Sequence, residues 1–254
     1  MRRLNRLGAG ILGSALAILV CPPDDLSAQQ PPHRDALGNL TFSLAGDAMI
    51  TRKLSVFDEP EFLEIRDLMR RGTAAFANAE MLFLNYDEPE VIPASQSGGT
   101  YMRAQPQMAD ELVWMGVDLV STANNHSLDY GYGGLRSNNR WLEKAGLVAA
   151  GTGENLAEAR APKYLETPGG RVALLAVSSS FVDFNRAGPQ RKDMRGRPGL
   201  SPIRVVTTYH VPDDRFQQLV QLRSDLGIGG GGGAGSADQI QLFGSTFRRS
   251  DSYR

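Results

Sequence analysis

Residues 117–129, VDLVSTANNHSLD, decide how this chain is read. Val117 to Ser121 is a short apolar run of the kind that makes a buried strand, and it gives way at once to Asn124-Asn125-His126. Upstream, Pro106 opens a helix that runs through Leu112, Val113 and Met115; downstream, Gly134 to Ala145 is helical. The same alternation repeats toward the N-terminus. Leu40 to Ala45 (LTFSLA) reads as a strand that ends at Gly46-Asp47. Glu61 to Arg70 reads as a helix with Phe62, Ile65, Leu68 and Met69 on one side, and Thr73 to Ala77 as a strand ending at Asn78-Ala79-Glu80. Arg171 to Ser178 (RVALLAVS) is the clearest buried strand in the chain. Strands alternating with helices of about 10 to 15 residues imply βαβ units, hence an α/β fold with a mostly parallel sheet covered on both faces.

In such sheets ligand-binding groups collect in the loops beyond the carboxyl ends of the strands. Asp47, Glu80 and Asn125-His126 all occupy that kind of position, so three strand ends each present a metal-type ligand. Asp47 offers hard oxygen atoms to a cation, or else caps a following helix. Glu80 lies two residues beyond Asn78, so in extended chain both side chains point the same way; a solvated strand-end glutamate is the plainer alternative. Asn125 offers a carboxamide oxygen. His126 can bind metal or donate a proton near neutral pH, and Asp129 can orient its imidazole. The competing account of 124–129 is a polar helix-capping turn, but such a turn seldom needs a histidine among amides. Gly151-Thr152-Gly153-Glu154-Asn155 precedes a short helical stretch and reads better as a plain turn than as an anion site. Arg191 to Arg197 (RKDMRGR) reads as a solvated basic loop, and neither His33 nor His210 is assigned to chemistry.

The first 28 residues read as an address. Arg2, Arg3 and Arg6 precede an apolar run from Leu7 to Val20, too short to span a bilayer, and Ala28 offers a cleavage point. The expected organisation is a signal peptide at 1–28, a polar tether at 29–39, the folded domain at 40–226, a Gly-rich linker at 227–238 and a loosely packed tail at 239–254. Residues Ser201-Pro202 are followed by a predicted strand (IRVVTTY) and a helix from Pro212 to Leu226. Export places the protein in the periplasm, outside the cell or at its surface; a lipid anchor at Cys21, the only cysteine, is disfavoured by Val20 before it. Cleavage would leave no thiol for disulfides, thiolate ligands or nucleophiles. With 22% charged residues and a formal net charge of −1, the chain has no electrostatic footprint for nucleic acid.

AGDAMI, NAEMLFLN, STANNHSLDYG, GTGENLAEARAP and RVALLAVSSSF, in this order and spacing, resemble the CapA-like capsule-synthesis proteins, a branch of the calcineurin-like metallophosphoesterase superfamily. The resemblance runs from about Leu40 to Val206. It implies a four-layer metallophosphoesterase-like sandwich and a role in capsule or poly-γ-glutamate synthesis at the cell surface. It implies a divalent metal (Mn, Fe or Zn) held by Asp47, Glu80, Asn125 and His126, with His126 and Asp129 as the catalytic pair. Anionic surface polymer or its precursors, and other capsule-synthesis proteins at the membrane, are the implied partners. The superfamily's first-strand Asp-x-His reads Asp47-Ala48-Met49 here, and relatives continue past this C-terminus with further histidine segments. The sandwich is therefore expected to be incomplete at its C-terminus. The site is expected to hold one ion at best and to turn over slowly or not at all. Two other functions stay open: an accessory protein that binds or anchors an anionic polymer, and an inactive truncated product.

Overall fold

The computed structural model describes residues 39–94, 99–228 and 237–250; the predicted leader, most of the tether and the Gly-rich run at 229–236 lie outside the described residues. In chain order the elements begin with β1 (Phe42–Asp47), α1 (Pro60–Arg70), β2 (Ala74–Asn78), β3 (Leu82–Phe83), β4 (Arg103–Ala104) and α2 (Met108–Met115). There follow β5 (Leu119–Ser121), α3 (Gly131–Lys144), β6 (Val148–Ala150), β7 (Thr152–Gly153), α4 (Leu156–Arg160), β8 (Lys163–Thr167) and β9 (Gly170–Leu174). The last are β10 (Gly199–Leu200), β11 (Thr208–Val211), α5 (Asp213–Asp225), β12 (Gln239–Leu242) and β13 (Ser245–Arg249).

The central sheet has the order β1-β2-β5-β6, and every pairing in it is parallel. Its two faces are covered differently. Ala77 and Val120 point to one face, where they pack with Met108, Ala109 and Leu112 of α2, Leu142 of α3 and Met69 of α1. Ala74 and Leu119 point to the other, against Val172, Leu165 and Leu174. These last belong to β8 and β9, which form an antiparallel hairpin. Helices thus cover one face and a β-hairpin the other.

This corrects the reading of RVALLAVS as a fully buried strand. Val172 and Ala176 turn inward and are buried, whereas Leu175 and Val177 on the alternate positions are 66% and 53% exposed. The hairpin also stops short of β1: Phe42 and Leu44 share the face of their register partners Ala74 and Phe76, yet are 51% and 72% exposed. Coverage on both faces, as expected from the alternation, is therefore incomplete at that edge.

Two further segments depart from expectation. Of the predicted strand IRVVTTY only its last residues pair, as β11. Gln239 to Arg249, expected to pack loosely, forms the β12–β13 hairpin, and β13 pairs in parallel with β11. The buried side chains Ile240, Leu242 and Phe216 give this small sheet and α5 an apolar interior. By contrast α1, α2, α3 and α5 fall close to the predicted spans. The loop before α1 is pinned from α2: buried Glu111 accepts hydrogen bonds from the Leu54 and Ser55 amides (3.0 and 2.7 Å) and the Ser55 hydroxyl (3.0 Å).

Candidate functional site

Because the central strands run parallel, the residues that follow them emerge along one edge. The ladder continues just past each strand end: Ala48 N–H donates to Asn78 O (2.7 Å), Ala79 N–H to Ser121 O (2.9 Å) and Thr122 N–H to Ala150 O (2.8 Å). The edge that carries the candidate residues is therefore fixed by backbone bonds on both sides.

Asp47 is exposed at the end of β1, and no helix begins until Pro60, so it caps nothing. It is held instead by Asn78, whose Nδ2 donates to Asp47 Oδ1 (2.8 Å) and to Glu80 Oε2 (2.6 Å). One amide group thus ties the two carboxylates together, and the Asn78–Glu80 contact agrees with their predicted common direction. Asn78 itself was legible in the sequence only as a neighbour of Glu80.

The two asparagines after β5 divide the work. Asn124 is spent on structure. Its Nδ2 donates to Ala79 O (2.7 Å), its Oδ1 accepts from His126 N–H (3.1 Å), and its own N–H donates to Ser127 Oγ (3.0 Å). It makes the polar turn that was the competing account of this segment. Asn125 is half-buried and its side chain has no hydrogen-bond partner among the described residues; only its carbonyl is engaged, by Asn185 Nδ2 (3.1 Å).

His126 is buried, with Nδ1 2.7 Å from Asp129 Oδ2. A carboxylate at that distance fixes the tautomer: Nδ1 carries the proton and Nε2 is the free nitrogen. Nε2 faces Glu80 Oε1 at 3.9 Å, too far for a direct hydrogen bond. Asp129 also accepts from Met102 N–H (2.7 Å), while its Oδ1 is buried without a partner. Burial raises the Asp129 pKa above the ordinary carboxylate value, against the lowering effect of Met102 and His126. Glu80 is raised as well, first by burial; the Asn78 hydrogen bond opposes this and the charge of Asp47 adds to it.

The Asp129 shift has a sign that can be checked. Below about pH 4 the carboxyl is protonated in both folded and unfolded chains and costs nothing. As pH rises, the unfolded carboxyl ionises first and its burial begins to oppose folding. Wild type should therefore lose stability relative to Asp129→Asn between pH 4 and pH 7 in urea melts. A relative gain over that range would show that the His126 contact outweighs burial.

Two further segments stand out in the sequence. His210 is exposed on β11. Asn155 caps α4 with its own side chain, accepting from Glu158 N–H (3.0 Å). The plain turn expected at GTGEN is corrected, because Thr152–Gly153 form β7 and pair antiparallel with β10. Among the described residues, no three His, Cys, Asp or Glu side chains converge as a metal-binding group. No helix among them is long and apolar enough to cross a membrane.

The sequence model of the bacterial capsule synthesis protein PGA_cap family matches residues 41–222. Two uncharacterized proteins of Sinorhizobium fredii, y4sH and y4uA, are each 34% identical over 192 residues, which is 76% of this chain and 42% of theirs. The capsule biosynthesis protein CapA of Bacillus anthracis is 23% identical over 148 residues, 56% of this chain and 36% of its own. The chain thus spans less than half the length of these relatives. The matched family region contains every strand of the central sheet and each residue of the cluster at its edge. The chain belongs to the bacterial capsule synthesis protein PGA_cap family.

Proposed function

We propose that this chain serves the synthesis of an anionic surface polymer, with poly-γ-glutamate as the leading candidate, through a hydrolytic site of metallophosphoesterase type at the sheet edge. The observation that carries this reading is the His126–Asp129 pair, whose free Nε2 faces Glu80 across 3.9 Å. In this reading the fold extends toward a four-layer sandwich, with a further layer against the outer side of the β8–β9 hairpin. The exposed Leu175 and Val177 support that extension.

Nδ1 is committed to Asp129, so His126 has one working nitrogen and cannot bind a cation and deliver a proton at the same time. We assign it the proton: when the ring carries a second proton at Nε2, that proton passes to the leaving oxygen, while Nδ1–H stays on Asp129, which holds the ring in place. Asp47, Glu80 and Asn125 then remain as oxygen donors for one divalent cation. That donor set suits Mn²⁺ and Mg²⁺ at least as well as Zn²⁺. The reading draws support from Asn78 Nδ2, a single donor that both carboxylates accept from (2.8 and 2.6 Å). Such an ion supplies Lewis-acid polarisation of a phosphoryl or acyl oxygen.

Metal analysis of dialysed protein should find well under two equivalents. With added Mn²⁺, an aryl phosphate should be hydrolysed slowly above blank, and His126→Ala should bring the rate back to blank. A metal-dependent rate that survives His126→Ala would refute the assigned proton donor. No rate at all would favour a second reading, an accessory protein that binds the polymer without cutting it. That reading draws support from the absence, among the described residues, of three converging acidic or imidazole ligands.

A further inference from the structure

Beside the His126–Asp129 pair lies a cluster that the catalytic reading does not use. Tyr130, next to Asp129 in the chain, is buried, with Tyr86 edge-on at 5.9 Å and Tyr101 tilted at 5.8 Å between ring centroids. The Arg103 guanidinium lies over the Tyr86 ring at 4.5 Å and over Tyr130 at 6.0 Å. The backbone ties this cluster to the site. Met102 donates its N–H to Asp129, and Arg103 pairs in register with Leu82, two residues beyond Glu80.

Arg103 is half-buried, yet no carboxylate partners it among the described residues. Other arginines of the chain that lie near acids do pair, as Arg136 does with Glu154 and Arg140 with Glu88. A partly desolvated guanidinium without a counter-charge is costly unless something compensates it, and two aromatic faces compensate only in part. Stacking occupies the flat face of the guanidinium, and one of its N–H groups is spent on the Tyr130 hydroxyl, which leaves its other N–H donors without a partner among the described residues. Such donors form the fork which binds a carboxylate or a phosphate with two parallel hydrogen bonds.

We infer that Arg103, held on Tyr86 and Tyr130, is the binding site for an oxyanion of the substrate, on the segment whose Met102 amide is bonded to Asp129 of the proton-donating pair. The inference deepens the proposed function, and rests on it, by naming the group the substrate must present. Exposed Tyr86 and Tyr101 flank the anion site and give an apolar wall to the part of the substrate that carries the charge. The shared chemistry is a planar or tetrahedral oxyanion, which either the side-chain carboxylate of a polymer or the phosphoryl group of a precursor provides.

Two probes separate those sources: inorganic phosphate and a short γ-glutamate oligopeptide. Each is titrated into the full chain in EDTA, so that the fate of the metal site neither hides nor imitates the result. The Arg103 Nε–H resonance reports on the residue directly. At least one probe should shift that resonance saturably and bind more weakly as salt rises. Arg103→Gln should weaken that binding at least tenfold. Arg103→Lys, which keeps the charge but not the fork, should also weaken it several-fold and decides the matter if the glutamine variant does not fold. A preference for the oligopeptide would identify the polymer as the source, and a preference for phosphate the precursor. Failure of both probes to move the resonance, or unchanged affinity in both variants, would overturn the inference. Neither result depends on whether the chain hydrolyses anything.

Discussion

Replacing Gly133 by alanine is expected to cost on the order of 3 kcal/mol of stability, enough to unfold a large share of a marginally stable domain. Gly133 lies in the first turn of α3, directly against the chain at Glu90. A Cβ built on it would meet the Glu90 carbonyl oxygen at 1.9 Å and its carbonyl carbon at 2.3 Å. Both are backbone atoms, so no rotamer change relieves the clash; either the helix or the 88–91 turn must move. That turn is held in place, since Val91 N–H donates to Glu88 O (2.9 Å) and Glu88 Oε1 accepts from Ser137 Oγ of α3 (3.0 Å). Alanine would normally favour a helix by about 1 kcal/mol over glycine, so the steric term has to overcome that gain before any loss appears. Chemical denaturation measures the net effect. A loss below about 1 kcal/mol would mean that the Glu90 turn is free to retreat.

Glu111→Ala should cost about 2 to 4 kcal/mol, through a different mechanism. Glu111 is a buried acid whose two oxygens satisfy two backbone amides and a hydroxyl in the loop between β1 and α1. Alanine removes the acceptor and leaves Leu54 N–H and Ser55 N–H to find water or remain unpaired. The loop they belong to leads from Asp47 to α1, so its loosening should reach the site edge. Thermal or urea unfolding gives the magnitude, and amide exchange at Leu54 and Ser55 shows where it acts. Glu111→Gln should recover part of the loss, because the amide oxygen still accepts one of the bonds. If alanine and glutamine variants were equally stable, the Glu111 side chain would not be the staple of this loop.

Several parts of this architecture are written locally and could be read from sequence. The amphipathic spacing of Phe62, Ile65, Leu68 and Met69 locates α1, although only Phe62 and Met69 are half-buried in it and Ile65 and Leu68 stay exposed. Asp47, Glu80 and His126 were readable as neighbours for another reason: parallel strands send their carboxyl ends to the same edge whatever the intervening detail. The misread segments lack such a constraint. RVALLAVS is apolar on both sides, and an apolar run does not say which neighbour covers it; here the central sheet covers one side and the other stays open. Gln239 to Arg249 looked unpromising after five glycines, but its pairing depends on β11, some thirty residues earlier, which no local pattern announces. Within the site, the division between Asn124 and Asn125 was hidden because identical side chains stand side by side. Only the reach of Asn124 to Ala79 O separates the structural amide from the available one. Arg103 and Glu111 escaped notice for a related reason. What singles each of them out is the set of neighbours it has or lacks, and neither sits in a motif.

The strand order of the central sheet, β1-β2-β5-β6, has a bearing on assembly. Each strand lies beside the one that precedes it along the chain among these four, so none has to be inserted between two already in place. A chain delivered from its N-terminus, whether from a ribosome or through a membrane pore, can add each strand to the open side of the last. Asp47, Glu80 and His126 are all in position once β5 has docked on β2, before the hairpin of β8 and β9 has emerged. The strand order follows the order of synthesis, and every residue of the edge cluster precedes the hairpin of β8 and β9 in the chain.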